Sequence, residues 1–281
     1  MKTRALSTLG LWLMVGIILA GFNHWHEAPL GGFLMLLALT LLAQSELYNI
    51  LQKAGATPRK GLGLFLGAAL MVAVFFNYIH FSLNFTYLAI LWAVGLNSLL
   101  FRPTYTPTWI LRFSTLFGVL YVPLMLSFFL ALTPFHDKNQ VLEPLKGLWE
   151  AVWIVAVTKF TDVGGLVIGI PFGKHKIAPQ VSPAKSVEGC IGGLGFSMLV
   201  AAGLAWAFQA AGLPFMSPLR AACWAIPLAL LSIPSDLVES YLKRRADIKD
   251  SGQSIPGIGG ALDLVDSLIL VAPIGYLIFQ S

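Results

Sequence analysis

Nine apolar runs, near residues 6–22, 30–48, 61–79, 83–101, 110–132, 148–170, 190–212, 218–241 and 262–279, approach or exceed the roughly 20 residues that a helix needs to cross about 30 Å of hydrocarbon. No water reaches the backbone inside lipid, so each run must satisfy its own N–H and C=O groups, which only a helix does within one segment. The expected fold is therefore all-α: a polytopic integral membrane protein of about nine transmembrane helices. Composition agrees, with 57% hydrophobic residues, 11% charged and a mean hydropathy of +0.78, where soluble domains carry about a quarter charged residues. No soluble domain or low-complexity linker breaks the pattern. We expect one membrane domain over 1–281, with amino-terminal helices in 1–135 and a more polar half from about 148 to 281.

Lys2 and Arg4 ahead of an apolar run look like the start of a signal peptide, but no small-residue cleavage site follows, so the run is expected to stay as the first membrane helix. The run at 148–170 is the least secure, because Glu150, Lys159 and Asp162 interrupt it. Cys190 and Cys223 lie in apolar runs without metal-ligand spacing and read as core residues, not as a disulfide.

The basic residues set the orientation, since Lys and Arg collect in short cytoplasmic loops. Alternate loops hold Lys2 and Arg4; Lys53, Arg59 and Lys60; Arg102 and Arg112; Lys174, Lys176 and Lys185; and Lys243, Arg244, Arg245 and Lys249. Only Lys138, Lys146, Lys159 and Arg220 fall elsewhere. The amino terminus is expected in the cytoplasm, with the Lys174 and Lys243 loops on that same side. The net charge of +5 then gives a basic inner surface, attractive to anionic lipids and nucleotides. No nucleic-acid partner is expected.

One stretch stands apart. Ser235 to Ser267 holds six of the 13 acidic residues and four of the 18 basic ones. Facing lipid, Asp236, Asp263 and Asp266 would cost roughly 2.5–3.5 kcal/mol each, a sum that rivals the stability of a whole domain. They are expected to line a polar cavity open to the cytoplasm or a membrane–water boundary, with a cation between them. On a helix, Asp236 and Ser240 share a face with Glu239 beside them, and Asp263 and Asp266 are spaced to converge on one point. Oxygen-only ligands suit a hard cation, Mg²⁺ above all, commonly completed by phosphate oxygens, and the lack of Cys and His argues against zinc. The plainer reading makes these acids helix caps and partners of Lys243, Arg244 and Lys249.

Between the acids, Ile255-Pro256-Gly257-Ile258-Gly259-Gly260 cannot be a helix interior. Gly257, Gly259 and Gly260 would let backbone N–H groups approach an anion next to a helix start; a re-entrant loop or tight interhelical contact is the plainer alternative. A second constellation runs from Thr161-Asp162 through Phe172-Gly173-Lys174-His175-Lys176 to Ser182-Pro183-Ala184-Lys185-Ser186 and Glu188-Gly189. Its ammonium and hydroxyl groups suit a polyphosphate, and equally a solvated loop. His175 reads as a surface or packing residue, whereas Asp162, ionisable at the end of an apolar run, reads as functional.

The stretch Ser240-x-x-Lys243-Arg244, Lys249-Asp250-Ser251-Gly252, Pro256-Gly257-x-Gly259-Gly260, Asp263-x-x-Asp266-Ser267 closely resembles the signature of the phosphatidate cytidylyltransferases, or CDP-diacylglycerol synthases. So does the middle loop, with Phe172 to Lys176, Ala178-Pro179, Ser182-Pro183, Lys185 and Glu188-Gly189. The likeness extends more loosely to Glu46-Leu47-Tyr48 and Leu116-Phe117-Gly118-x-x-Tyr121. It implies a nucleotidyltransferase of phospholipid biosynthesis in the inner membrane, converting CTP and phosphatidate to CDP-diacylglycerol and pyrophosphate. It also implies Mg²⁺, a second cation such as K⁺ alongside it, and a homodimer. By position, Asp236, Ser240, Asp263 and Asp266 would form the cation site. Asp162, Lys174, Ser182, Lys185, Lys243, Arg244, Lys249 and Asp250 would belong to the substrate pocket.

Five positions depart from that family's pattern: Ile258 replaces the usual histidine, Leu264 the usual arginine, Ser235 a common glycine, and Ser186-Val187 the usual Thr-Trp. Losing a histidine and an arginine beside a triphosphate removes donors worth about 1–3 kcal/mol each. Three other readings stay open. A CTP-dependent kinase of polyprenol- or phytol-like alcohols would leave CDP instead of pyrophosphate. A weakened paralogue would bind without turnover. A transporter would place its charges at mid-membrane in an inverted repeat, and no such repeat is visible.

Overall fold

A computed structural model describes residues 28–76, 79, 83–96, 110, 113–132, 146–255 and 259–280. The expected span at 6–22, with Lys2, Arg4, Arg102, Arg112, Lys138, Gly257 and Ile258, lies outside them. The described residues form α1 (Ala28–Lys53), α2 (Lys60–Phe75), α3 (Leu83–Leu96), α4 (Ser114–Tyr121), α5 (Pro123–Ala131), α6 (Lys146–Phe172), β1 (Lys176–Ala178), β2 (Ser182–Ser186), α7 (Val187–Ala210), α8 (Pro218–Arg245), α9 (Ala261–Ile269) and α10 (Ala272–Gln280).

The architecture is helical, as expected. Among the described residues five helices are long and apolar enough to cross a membrane: Leu30–Lys53, Ser114–Ala131, Lys146–Phe172, Val187–Ala210 and Pro218–Arg245. A sixth span results if α9 and α10, bent by 46° at their junction, count as one. The expected runs at 61–79 and 83–101 hold α2, of 16 residues, and α3, of 14 within the described residues, about 24 and 21 Å at 1.5 Å per residue. The insecure run is a continuous helix of 27 residues.

The described chain groups into two compact units, each drawn from separated parts of the sequence. The first takes residues 1–81, 106–145 and 245–265. Its core is built on Tyr48, fully buried on α1, whose hydroxyl donates to Thr115 O (2.8 Å) and accepts from Gln44 Nε2 (3.1 Å). A Cβ at Gly63 or Gly118 would fall into the Tyr48 ring, so glycine at both positions is what lets α2 and α4 close on α1. The likeness noted around Tyr48 and Gly118 is thus one packing unit.

The second unit takes residues 82–105, 146–244 and 266–281. Helices α6 and α7 run antiparallel along a seam of small residues: a Cβ at Gly193 would meet Thr161 O at 2.5 Å, and one at Gly164 the Phe196 Cβ at 2.5 Å. Close backbone approach through spaced glycines is the usual packing device where lipid removes the hydrophobic incentive. Trp153 is fully buried on α6, donates to Ala201 O on α7 (3.1 Å) and meets Phe279 of α10 edge-on at 5.8 Å.

The basic middle loop is a two-stranded antiparallel hairpin, Lys176 opposite Ser186 and Ala178 opposite Ser182. Pro183 is tolerated on β2 because a two-strand sheet leaves an edge free on each strand. Ser186 then caps α7, accepting from Gly189 N (3.2 Å).

The cysteines are not core residues. Cys190 is half-buried and Cys223 exposed, because a membrane helix is apolar on its lipid side as well as its packed side.

Candidate active site

Within the second unit, helix α8 presents Asp236 and Glu239, and α9 presents Asp266. The three carboxylates offer oxygens that all lie within 4.8 Å of one another. At such separations each pair repels by about 3–4 kcal/mol at an effective dielectric near 20. Three lysines from three elements offset this. Lys185 on β2 reaches Asp236 Oδ2 at 2.6 Å, Lys243 on α8 reaches Glu239 Oε2 at 2.6 Å, and Lys159 on α6 lies 3.7 Å from Asp266 Oδ1. Glu239 is fully buried, a position that a carboxylate holds only when charge is returned to it.

Hydrogen bonds fix the geometry. Ser240 Oγ donates to Asp236 Oδ1 (3.3 Å), and Lys159 Nζ also donates to Ser267 Oγ (2.8 Å). Lys185 Nζ donates to Ile233 O (3.1 Å), in the turn that Pro234 interrupts. Asp162, one turn after Lys159 on α6, faces Ser267, Lys159, Lys185 and Asp236. The buried Ser235 hydroxyl donates to Asp266 O and accepts from Leu270 N (3.2 Å), so the serine that replaces a common glycine secures α9 just before its junction with α10. An all-oxygen set of three carboxylates and a hydroxyl fits a hard divalent cation.

A second polar centre lies within the first unit. The Asp263 carboxylate accepts from Ser251 N (3.2 Å) and Gly260 N (2.9 Å), closing the start of α9 as a capping acid does. Ile255 and Gly259 exchange two backbone hydrogen bonds of 2.9 and 3.1 Å, and Gly259 has a φ of 130°, open to glycine. The turn amides expected to meet a phosphate, Gly259 N and Gly260 N, thus donate to Ile255 O and Asp263 here.

A sequence model of the Cytidylyltransferase family matches residues 2–281. The chain belongs to that family. It is 35% identical over 167 residues to the phosphatidate cytidylyltransferase of Chlamydia pneumoniae, covering 58% of this chain and 52% of the relative. It is 34% identical over 167 residues to that of Thermotoga maritima (58% and 57%), and 38% over 133 residues to that of Bacillus subtilis (46% and 47%). The chain spans about half the length of the curated relatives it matches.

In this cytidylyltransferase-family chain, the fold brings Asp162, Lys185, Asp236, Ser240, Lys243 and Asp266 into one polar group. Lys174, Arg244, Lys249 and Asp250 are exposed and Ser182 is half-buried. Arg244 Nε donates to Val181 O (3.3 Å). Glu188 receives the backbone N–H groups of Lys174 (3.1 Å) and His175, and lies 2.6 Å from the His175 ring, so that histidine is a surface residue held by Glu188. Leu264 is half-buried on α9. Sequence reasoning gave Glu239 only as a neighbour and missed Lys159, Ser235 and Ser267. The signal for Lys159 was the one used for Asp162, an ionisable group inside an apolar run.

Proposed function

We propose that this chain catalyses transfer of the cytidylyl group of CTP to phosphatidate, giving CDP-diacylglycerol and pyrophosphate, on the cytoplasmic face of the inner membrane. The observation that carries the reading is the meeting of Asp236, Glu239 and Asp266 with three lysines, in a chain of this family whose relatives are named phosphatidate cytidylyltransferase. In the reaction a phosphate oxygen of phosphatidate forms a bond to the α-phosphorus of CTP. The bond from that phosphorus to the oxygen bridging to the β-phosphate breaks in line, and pyrophosphate departs with the electron pair. The nucleophile is already an anion, so no strong base is needed, and the catalytic burden is alignment and charge neutralisation.

A divalent cation such as Mg²⁺, with K⁺ as a second ion, would neutralise the phosphates, held by Asp236, Glu239 and Asp266 with Ser240. Lys159, Lys185 and Lys243, each paired with a carboxylate, are placed to exchange that partner for a phosphate oxygen. Arg244, Lys249 and Asp250 belong to the same proposed pocket, with Lys174 and Ser182. Exposed apolar side chains such as Leu166, Val167 and Ile170 on α6 give acyl chains a surface beside it. A homodimer is part of the reading.

The test is purified protein with labelled CTP and phosphatidate, with and without Mg²⁺. A liponucleotide and pyrophosphate, formed only with the cation, is expected. CDP with a phosphorylated lipid would instead support the kinase reading, and binding without product the weakened paralogue.

A further inference from the structure

Glu46 lies on α1, within a candidate span, and is 4% exposed. A carboxylate in such a place is costly unless its oxygens are filled with donors. Its partners come from more than 200 positions later in the chain: Ser251 Oγ (2.9 Å) and Leu262 N (2.9 Å) donate to Oε2, and Ser254 Oγ (2.5 Å) donates to Oε1. The backbone is shaped around this group, since a Cβ at Gly252 or Gly260 would collide with the Glu46 carboxylate. Two glycines of the turn therefore make room for an acid of the chain itself.

The segment so held joins α8, which carries Asp236 and Glu239, to α9, which carries Asp266. Leu262 N belongs to the first turn of α9, and Asp263 fixes Ser251 N and Gly260 N from that same turn. Two carboxylates thus hold Ser251 and Ser254 on one side and Gly260 and Leu262 on the other, and nothing in the proposed chemistry uses Glu46.

We propose that Glu46 is a positioning residue: by holding Ser251, Ser254 and Leu262 N it sets the start of α9, and through that helix the placement of Asp266 for the cation. This rests on the proposed function and its cation site for the turnover and Mn²⁺ readouts, but not for the hydrogen-exchange readout.

The experiment is hydrogen exchange and Mn²⁺ binding, followed by electron paramagnetic resonance, on full-length protein in detergent. It compares wild type, Glu46→Gln, Glu46→Ala and the double variant Ser251→Ala/Ser254→Ala, which keeps α1 intact. We expect faster exchange confined to peptides within 246–262 and Mn²⁺ affinity lowered about tenfold or more in Glu46→Ala and the double variant. Glu46→Gln, whose amide oxygen still accepts, should lie between. Where turnover is measured, the half-activating Mg²⁺ concentration should rise more than the KM for phosphatidate. Unchanged exchange and affinity in the double variant overturn the proposal, as does exchange raised evenly over the whole chain in that variant. Wild-type protein that makes no liponucleotide yet shows the local exchange response counts against the proposed function alone.

Discussion

At the scale of single residues, burial decides which charges matter. Glu239 is fully buried against Lys243, and removing one partner of a buried pair typically costs about 3–5 kcal/mol because the other is left uncompensated. Lys243→Met should therefore lower stability by about that amount in thermal or denaturant unfolding in detergent. The double variant Lys243→Met/Glu239→Leu should recover most of the loss, and equal destabilisation in both would argue that the pair is not coupled. By contrast the His175–Glu188 contact involves a largely exposed imidazole, and surface pairs contribute about 0–1 kcal/mol. Asp236 and Asp266 were legible in the sequence because carboxylates in so apolar a chain have few tolerable places; Asp263, read with them, accepts from Ser251 N and Gly260 N. Glu239 was not, since four residues before Lys243 it looks like an ordinary helix pair. Glu46 was visible only as part of a loose resemblance, since its donors lie at the far end of the chain.

At the scale of elements, glycine placement separates packed helix faces from free ones. On α7, Gly193 faces the Thr161 carbonyl and Gly195 faces open space. Gly193→Ala should destabilise by about 1–3 kcal/mol, the usual range for forcing a methyl into a packed contact. Gly195→Ala should be neutral or stabilising by up to about 1 kcal/mol through helix propensity. Matched unfolding curves for the two variants would show that the seam is not close-packed. Hydropathy located α6, α7 and α8 well, because each is a long uninterrupted apolar run. It also located α2 and α3, whose described lengths are 16 and 14 residues. It placed α9 and α10 in one run, where Pro273 at the start of α10 removes a backbone donor and the axis turns by 46°. The β1–β2 hairpin was invisible because strands of three and five residues with an internal proline carry no periodic signal.

At the scale of the whole molecule, the distribution of Lys and Arg orients the proposed site. Lys176, exposed on the hairpin, should react as Lys176→Cys with an impermeant thiol reagent in inside-out vesicles and stay unreacted in intact cells; the opposite pattern would reverse the orientation. The helical class and the polar group in the carboxyl-terminal half follow from one conflict, many acids in a chain that mostly avoids water. The grouping of the described residues into two units interleaved along the chain had no signature, because no linker marks it. The central claim is that carboxylates from α8 and α9 share one divalent cation, and Mn²⁺ binding by electron paramagnetic resonance on wild type, Asp236→Asn, Glu239→Gln and Asp266→Asn tests it most directly. One Mn²⁺ bound per wild-type chain, with affinity lost at least about tenfold in each variant while all remain folded, is the expected result. Wild-type affinity retained in both Asp236→Asn and Asp266→Asn would contradict it.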